Sequence, residues 1–236
     1  MATTDTTAFN LNLNDIAEEA FSRCGTEMRT GYDLRSARRS LNLLTIDWAN
    51  RGINLWTIEE GSIPLTQGTI TYDLPVDTID LLEHQVRTGT GSNQQDLTIS
   101  RISVSTYATI PTKNNTGRPV QVFIDRQSGA TNSSGVVQNP RIKVWPAPDR
   151  SDTYTFVYFR MRRIQDAGNG INTPDIPFRM LPCLVAGLAY YLSLKIPEAA
   201  NRMTMLKQEY EEQWIVASSE DREKAPLRLA PREFLY

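Results

Sequence analysis

One histidine, two cysteines and three pairs of adjacent glutamates are the side chains with chemistry to offer. His84 lies in a β-patterned run between Glu83 and Gln85. A zinc site, or a serine or cysteine nucleophile with its base, needs partners that one histidine does not supply, so it reads as a surface or satisfied strand residue. The segment GTGSNQ (89–94) has two glycines but neither the third glycine of a dinucleotide loop nor the lysine of a P-loop; it reads as a hairpin tip. Glu18-Glu19, Glu59-Glu60 and Glu211-Glu212 are carboxylate pairs, and a glycosidase needs two. Those two must face one another across a cleft with one pKa raised, whereas neighbours in sequence point to different sides and stay solvated. FVYFRMRR (156–163) interleaves aromatic and basic residues, placing Phe156, Tyr158, Arg160 and Arg162 on one strand face, as a single-strand stacking platform would. Cys24 and Cys183 each sit in an apolar helical stretch, which favours buried reduced thiols over a disulfide. No catalytic, cofactor-binding or metal-binding constellation emerges, and no cofactor is expected.

Composition narrows the classes further. With 25 basic and 27 acidic residues in 236, the formal charge is −2, which argues against a surface built to grip phosphates. The hydrophobic fraction of 40% and the charged fraction of 22% are those of an ordinary globular chain. No basic-then-apolar leader opens the sequence, and LVAGLAYYLSLKI (184–196) falls short of the ~20 residues of a membrane helix. It reads as a buried helix in a protein made in the cytoplasm, with no membrane anchor.

The elements that would position these residues follow from periodicity. Leu13, Ile16, Ala17, Ala20, Phe21 and Cys24 recur at helical spacing, with Asn12 or Asn14 to cap the start and Gly25 to stop the helix. A second helix runs from Asp33, as N-cap, through Leu34, Ala37, Leu41, Leu44 and Trp48 to Gly52. Its other face carries Arg35, Arg38 and Arg39, either a solvated face or an inter-subunit salt-bridge comb. From Gly61 to about Ile164 the pattern is β: a hairpin about Gln67-Gly68, strands on either side of TGSNQQ, and three more in RPVQVFIDR, PRIKVW and TYTFVYFRMRR. The Gly/Ser/Asn-rich stretch 127–139 reads as a mobile loop. Helical periodicity returns after NGINTPDIPFRMLP, where Pro182 kinks or restarts the helix. Pro197 opens a last helix with Met203, Leu206, Tyr210, Trp214 and Ala217 as its apolar stripe.

The expected fold class is therefore α+β. A four-helix bundle from N- and C-terminal helix pairs (11–58 and 174–220) carries an inserted antiparallel β domain (59–165) and an extended C-terminal arm (221–236). That arm is unusual. After the polar block SSEDREK, Pro226 and Pro231 bar a helix while Leu227, Leu229, Phe234, Leu235 and Tyr236 are too apolar to leave in water. Extended, residues 223–236 reach about 45–50 Å. Leu227 and Leu229 alternate as in an added strand, and the last three residues make an apolar anchor. The alternative is a tail folded back on its own subunit.

Several stretches together resemble a family. The opening LNLNDIAEEAFSRCG…RTGYDLRSARRSLNLLTIDWANRGINLWTIEE is similar to the helical hairpin of phage head-to-tail adaptor proteins. ISVSTYATIPTKNNTGRPVQVFIDRQ, VWPAPD…YTFVYFRMRRIQDAG and DIPFRMLPCLVAGLAYYLSLKIPEAA are similar to the corresponding runs of short-tailed phage adaptors. The likeness extends from about residue 11 to the C-terminus, rests on length and order, and contains no catalytic signature. It implies a structural virion protein in the neck, made in the host cytoplasm and assembled as a homo-oligomeric ring, a dodecamer, beneath the portal protein. The ring receives the tail nozzle protein, and double-stranded DNA passes through it without sequence-specific binding, during packaging retention and ejection. It also implies that the arm, through Pro226, Leu227, Leu229, Pro231, Phe234, Leu235 and Tyr236, climbs along the portal. Arg35, Arg38 and Arg39 against Glu209, Glu211 and Glu212 are the candidate rims between subunits. Two other classes remain open: another virion ring component (nozzle or head-completion protein) and a virion-associated cell-wall hydrolase.

Overall fold

Asn12 and Gly25 bracket the first helix. In the computed structural model, which describes residues 5, 9–53, 55–127 and 129–222, helix α1 spans Leu13–Cys24. The Asn12 side chain accepts from the Asp15 N–H and the Asp15 side chain accepts from the Asn12 N–H, a reciprocal capping box. Gly25 ends the helix at φ 81°, a conformation costly for any residue with a Cβ. Helix α2 spans Gly31–Asn50, and here the expected cap moves: Thr30 is the N-cap, and Asp33 is the third residue of the helix, reaching back to the Thr30 N–H. The T-x-x-D spacing carries that signal as well as an isolated aspartate does.

The chain divides into two compact units, one of residues up to Trp56 and from Ile164 onward, the other Thr57–Arg163. In the helical unit, α4 (Leu181–Ser193) is apolar nearly all round and is packed by α1, α2 and α5 (Met203–Glu220). Pro182 restarts the chain as an α-helix after a 3₁₀ turn, and a second 3₁₀ turn, Pro197–Arg202, precedes α5. One core joins the four helices, with Ile16, Leu41, Leu44, Trp48, Leu184, Leu188, Leu206 and Tyr210 fully or almost fully buried. Trp48 Nε1 donates to the Tyr210 hydroxyl at 3.1 Å, so the largest apolar side chain of the core also has its polar atom satisfied. Gly187 lets α4 approach this cluster: a Cβ there would lie 2.8 Å from Leu44 Cδ2 and 2.9 Å from Tyr210 Cε2. Of the stripe read on the last helix, Leu206, Tyr210 and Ala217 are buried and Trp214 half-buried, but Met203 is exposed because it starts the first turn.

Among the described residues the second unit holds eight strands in two sheets: β1 (Ile58–Pro64), β2 (Thr71–Asp73), β3 (Thr78–Thr88), β4 (Gln95–Thr98), β5 (Ser100–Ile102), β6 (Gln121–Asp125), β7 (Arg141–Trp145) and β8 (Tyr154–Arg162). Their orders are β1-β8-β3-β4 and β2-β7-β6-β5. Both sheets feed one core, in which Leu81, Val86 and Phe156 meet Val122, Ile142 and Val144. Three expectations need correction. The runs around Gln67-Gly68 are not a hairpin: β1 pairs with β8 and β2 with β7, and Gly68, at φ 72°, lies in a link that changes sheets. DLTISRI is not one strand but two, β4 on one sheet and β5 on the other. The insert is not wholly antiparallel, because β5 pairs in parallel with β6. The connection that parallel pairing requires contains α3 (Val104–Thr109), which buries no residue and so leaves no periodic trace in the sequence. The 127–139 stretch closes on itself, with Thr131 bridging Val137 and the Asn132 side chain accepting from the Ser134 and Val136 N–H groups.

Candidate functional site

The residues that could do chemistry are mostly engaged in structure. His84 is half-buried beside Phe156, at 6.0 Å between ring centroids. Burial, helped by Arg101, holds its pKa below the ordinary histidine value against the opposing pull of Glu83 and Asp80. Glu18 and Glu19 are exposed neighbours on α1, with Glu19 paired to Arg23. Glu59 lies between two guanidiniums, accepting from Arg162 Nε at 2.6 Å and Arg160 Nη2 at 2.8 Å. Arg160 also donates to Asp77 at 2.6 Å. Phe156 and Tyr158 are buried in the sheet core and Arg160 and Arg162 are paired with carboxylates, so the strand face read as a stacking platform is taken up by structure; Phe159, on the opposite face, is exposed. Cys24 and Cys183 are free and buried. Cys24 Sγ donates to the Ala189 carbonyl, and burial pushes the Cys183 thiol up to about 12. Among the described residues no group of three or more His, Cys, Asp or Glu could hold a metal ion, and no helix is long and apolar enough to cross a membrane.

The charged residues of α2 and α5 divide into two groups. Arg38 donates to the Gly168 carbonyl at 3.1 Å. Glu209 accepts from Arg23 at 2.6 Å, and Glu211 lies 3.8 Å from Arg51, whose guanidinium covers the Trp214 ring. Arg35 and Arg39 remain exposed on α2, and among the described residues Glu212 on α5 accepts only from Gln208, one turn away on its own helix. The structure therefore brings Glu209 and Glu211 to basic partners of their own chain and leaves Arg35, Arg39 and Glu212 facing outward.

Around these free charges lie apolar side chains that the sequence reading did not single out. Tyr32, Leu43 and Ile46 on α2, and Met205, Ile215 and Val216 on α5, are all more than half exposed, from 57% at Leu43 to 66% at Ile215. They lie off the buried stripe of each helix, and a helical projection of the sequence would have shown them. A cleft of about 1140 Å³ opens beside the start of α2, with Tyr32, Arg39, Leu43, Lys195, Ile196 and Pro197 among the residues that line it. Lys195 donates to the Ser40 hydroxyl at 2.7 Å; burial, and then the Arg39 charge, hold its pKa below the usual lysine value. Pro226, Leu227, Leu229, Pro231, Phe234, Leu235 and Tyr236 lie outside the described residues.

A family model described as SU10 adaptor protein matches residues 11–230 of the chain. A search of curated proteins finds no relative that matches.

Proposed function

We propose that this chain, which belongs to the SU10 adaptor protein family of phage head-to-tail adaptors, forms a ring that joins the portal vertex to the tail nozzle. As a member of that family it is a structural component of the virion. The observation that carries the proposal is the family match, which covers residues 11–230 and so takes in both units of the fold. In this reading the ring is a dodecamer lying in the neck. The helices act as a four-helix bundle in its wall, the β unit faces the nozzle, and the genome passes through the centre during packaging retention and ejection. A formal charge of −2 suits a channel that DNA slides past better than one that holds it.

The arm, residues 221–236, supplies portal attachment through Leu227, Leu229, Phe234, Leu235 and Tyr236, with Pro226 and Pro231 limiting the entropy lost on docking. Repeated around a ring, a weak arm gives large avidity. Deleting residues 225–236 tests this directly: the melting temperature should stay within a few degrees of the full chain while co-sedimentation with the portal is lost. A truncated chain that still binds the portal normally, or one that unfolds, refutes the arm.

A further inference from the structure

We infer that the outward face of α2 in one subunit packs in parallel against the outward face of α5 in the next; this rests on the ring reading and names the surfaces that close it. The two faces match in spacing. On α2, Tyr32, Arg39 and Leu43 lie at intervals of seven and four residues; on α5, Met205, Glu212 and Val216 repeat the same intervals. Seven and four residues are close to two turns and one turn of helix, so each trio forms a single stripe. Laid side by side in that register, the stripes put Tyr32 against Met205, Arg39 against Glu212 and Leu43 against Val216. Apolar meets apolar and the outward-facing charges meet their opposites.

The direction also agrees. As the chain advances from Ser40 and Trp48 on α2 to Arg51 and Leu55 just beyond its end, the partners within the subunit advance from Lys195, ahead of α5, through Tyr210 and Glu211 on α5 to Asp221 at its C-cap. Helices α2 and α5 therefore run the same way in one chain. Rotation about a ring axis lying along the helices preserves that sense, so α2 of one copy meets a parallel α5 of the next. The faces are different surfaces of one chain, which is the heterologous contact a ring requires. Charge also selects the pair: Arg35 and Arg39 make the α2 face basic, while Glu212 makes the α5 face acidic, so each face repels its own kind. Glu209 and Glu211 do not compete, because they already pair with Arg23 and Arg51.

The test uses the full chain with its portal. Arg39→Glu and Glu212→Arg, each alone, should raise the concentration needed for ring formation about tenfold or more, as judged by sedimentation and electron microscopy, and the double exchange should restore it. Both positions are exposed, so circular dichroism melts of all three variants should match the parent. In a chain carrying Leu43→Cys with Val216→Cys, mild oxidation should give a ladder of covalent oligomers, whereas either cysteine alone should not; the native thiols are buried and stay silent. Normal rings from both charge variants together with no ladder would overturn the pairing and leave the ring standing. Loss of portal binding in Arg39→Glu that Glu212→Arg does not rescue would also overturn it, and would assign the α2 stripe to the portal. A parent chain that never assembles in multiple copies on the portal would sink the ring and the pairing together.

Discussion

Replacing Leu44 and Gly187 by alanine, singly and together, tests whether the helical unit is packed as described. Leu44 is fully buried, and its Cδ atoms lie where a Cβ on Gly187 would be, at 2.8 and 3.0 Å. Leu44→Ala should cost about 3–4 kcal/mol, from lost burial plus a cavity that the surrounding helices cannot close. Gly187→Ala forces a methyl well inside the 3.5–4.0 Å of ordinary carbon contact. That overpacking costs about 1–3 kcal/mol, less about 1 kcal/mol for the better helix former. In the double variant the new methyl enters the space that Leu44 vacates, so the clash with Leu44 disappears and about one methyl of burial returns. The close approach to Tyr210, 2.9 Å, remains. The double variant should therefore be more stable than the sum of the singles by about 1–2 kcal/mol. Urea unfolding followed by tryptophan fluorescence measures it, since Trp48, Trp56 and Trp214 all lie in the helical unit. Additivity within about 0.3 kcal/mol would mean that the two positions do not share a space, and the packing of α2 on α4 would be wrong.

Three further predictions follow from the same structure. Glu59→Ala removes the carboxylate shared by Arg160 and Arg162, whose side chains are only 12% and 10% exposed, and should lower stability by about 1–3 kcal/mol in urea unfolding; Asp77 limits the loss by keeping Arg160 paired. His84 has a folded pKa below its unfolded value of about 6.5, so the unfolded state takes up the proton first as pH falls. Its contribution is present above that value and lost below it; the urea midpoint should drop more between pH 7.5 and 5.5 in the parent than in His84→Gln, and equal drops would show that His84 is not the cause. Cys183, held near pKa 12 by burial, and Cys24, raised in the same way, should react with a thiol reagent at pH 8 only after denaturation, and prompt labelling of the native protein would contradict that burial.

Legibility in the sequence followed the range of each interaction. Helix α1 could be read almost to the residue because its apolar period, its Asn12 cap and its Gly25 stop are all local. The cap of α2 lies three residues before Asp33, because Thr30 and Asp33 cap the helix reciprocally and the aspartate alone does not show which of the two is the cap. Strand positions were visible in alternation, but strand partners were not. The link through Gly68 looks like a hairpin turn, and only the pairing of Ile63 with Phe156 and of Tyr72 with Ile142 places its flanks on different sheets. Helix α3 buries nothing and so has no pattern to read. At the candidate surfaces, the charges were legible as residue types, but their engagement was not. Nothing local in the sequence indicates that Glu209 is occupied by Arg23 while Glu212 is exposed and accepts from Gln208 on its own helix. The exposed apolar side chains beside those charges lie off the buried stripe of each helix, where a helical projection shows them.

The central claim is that many copies of this chain close into a ring on the portal. Electron microscopy of the full-length protein mixed with its purified portal, with the chain alone as control, tests that most directly. The account predicts single subunits in the control, because exposed ion pairs hold the ring only weakly, and in the mixture a closed ring of copies coaxial with the portal. Portals that stay bare, or that carry isolated copies with no closed ring, would contradict it.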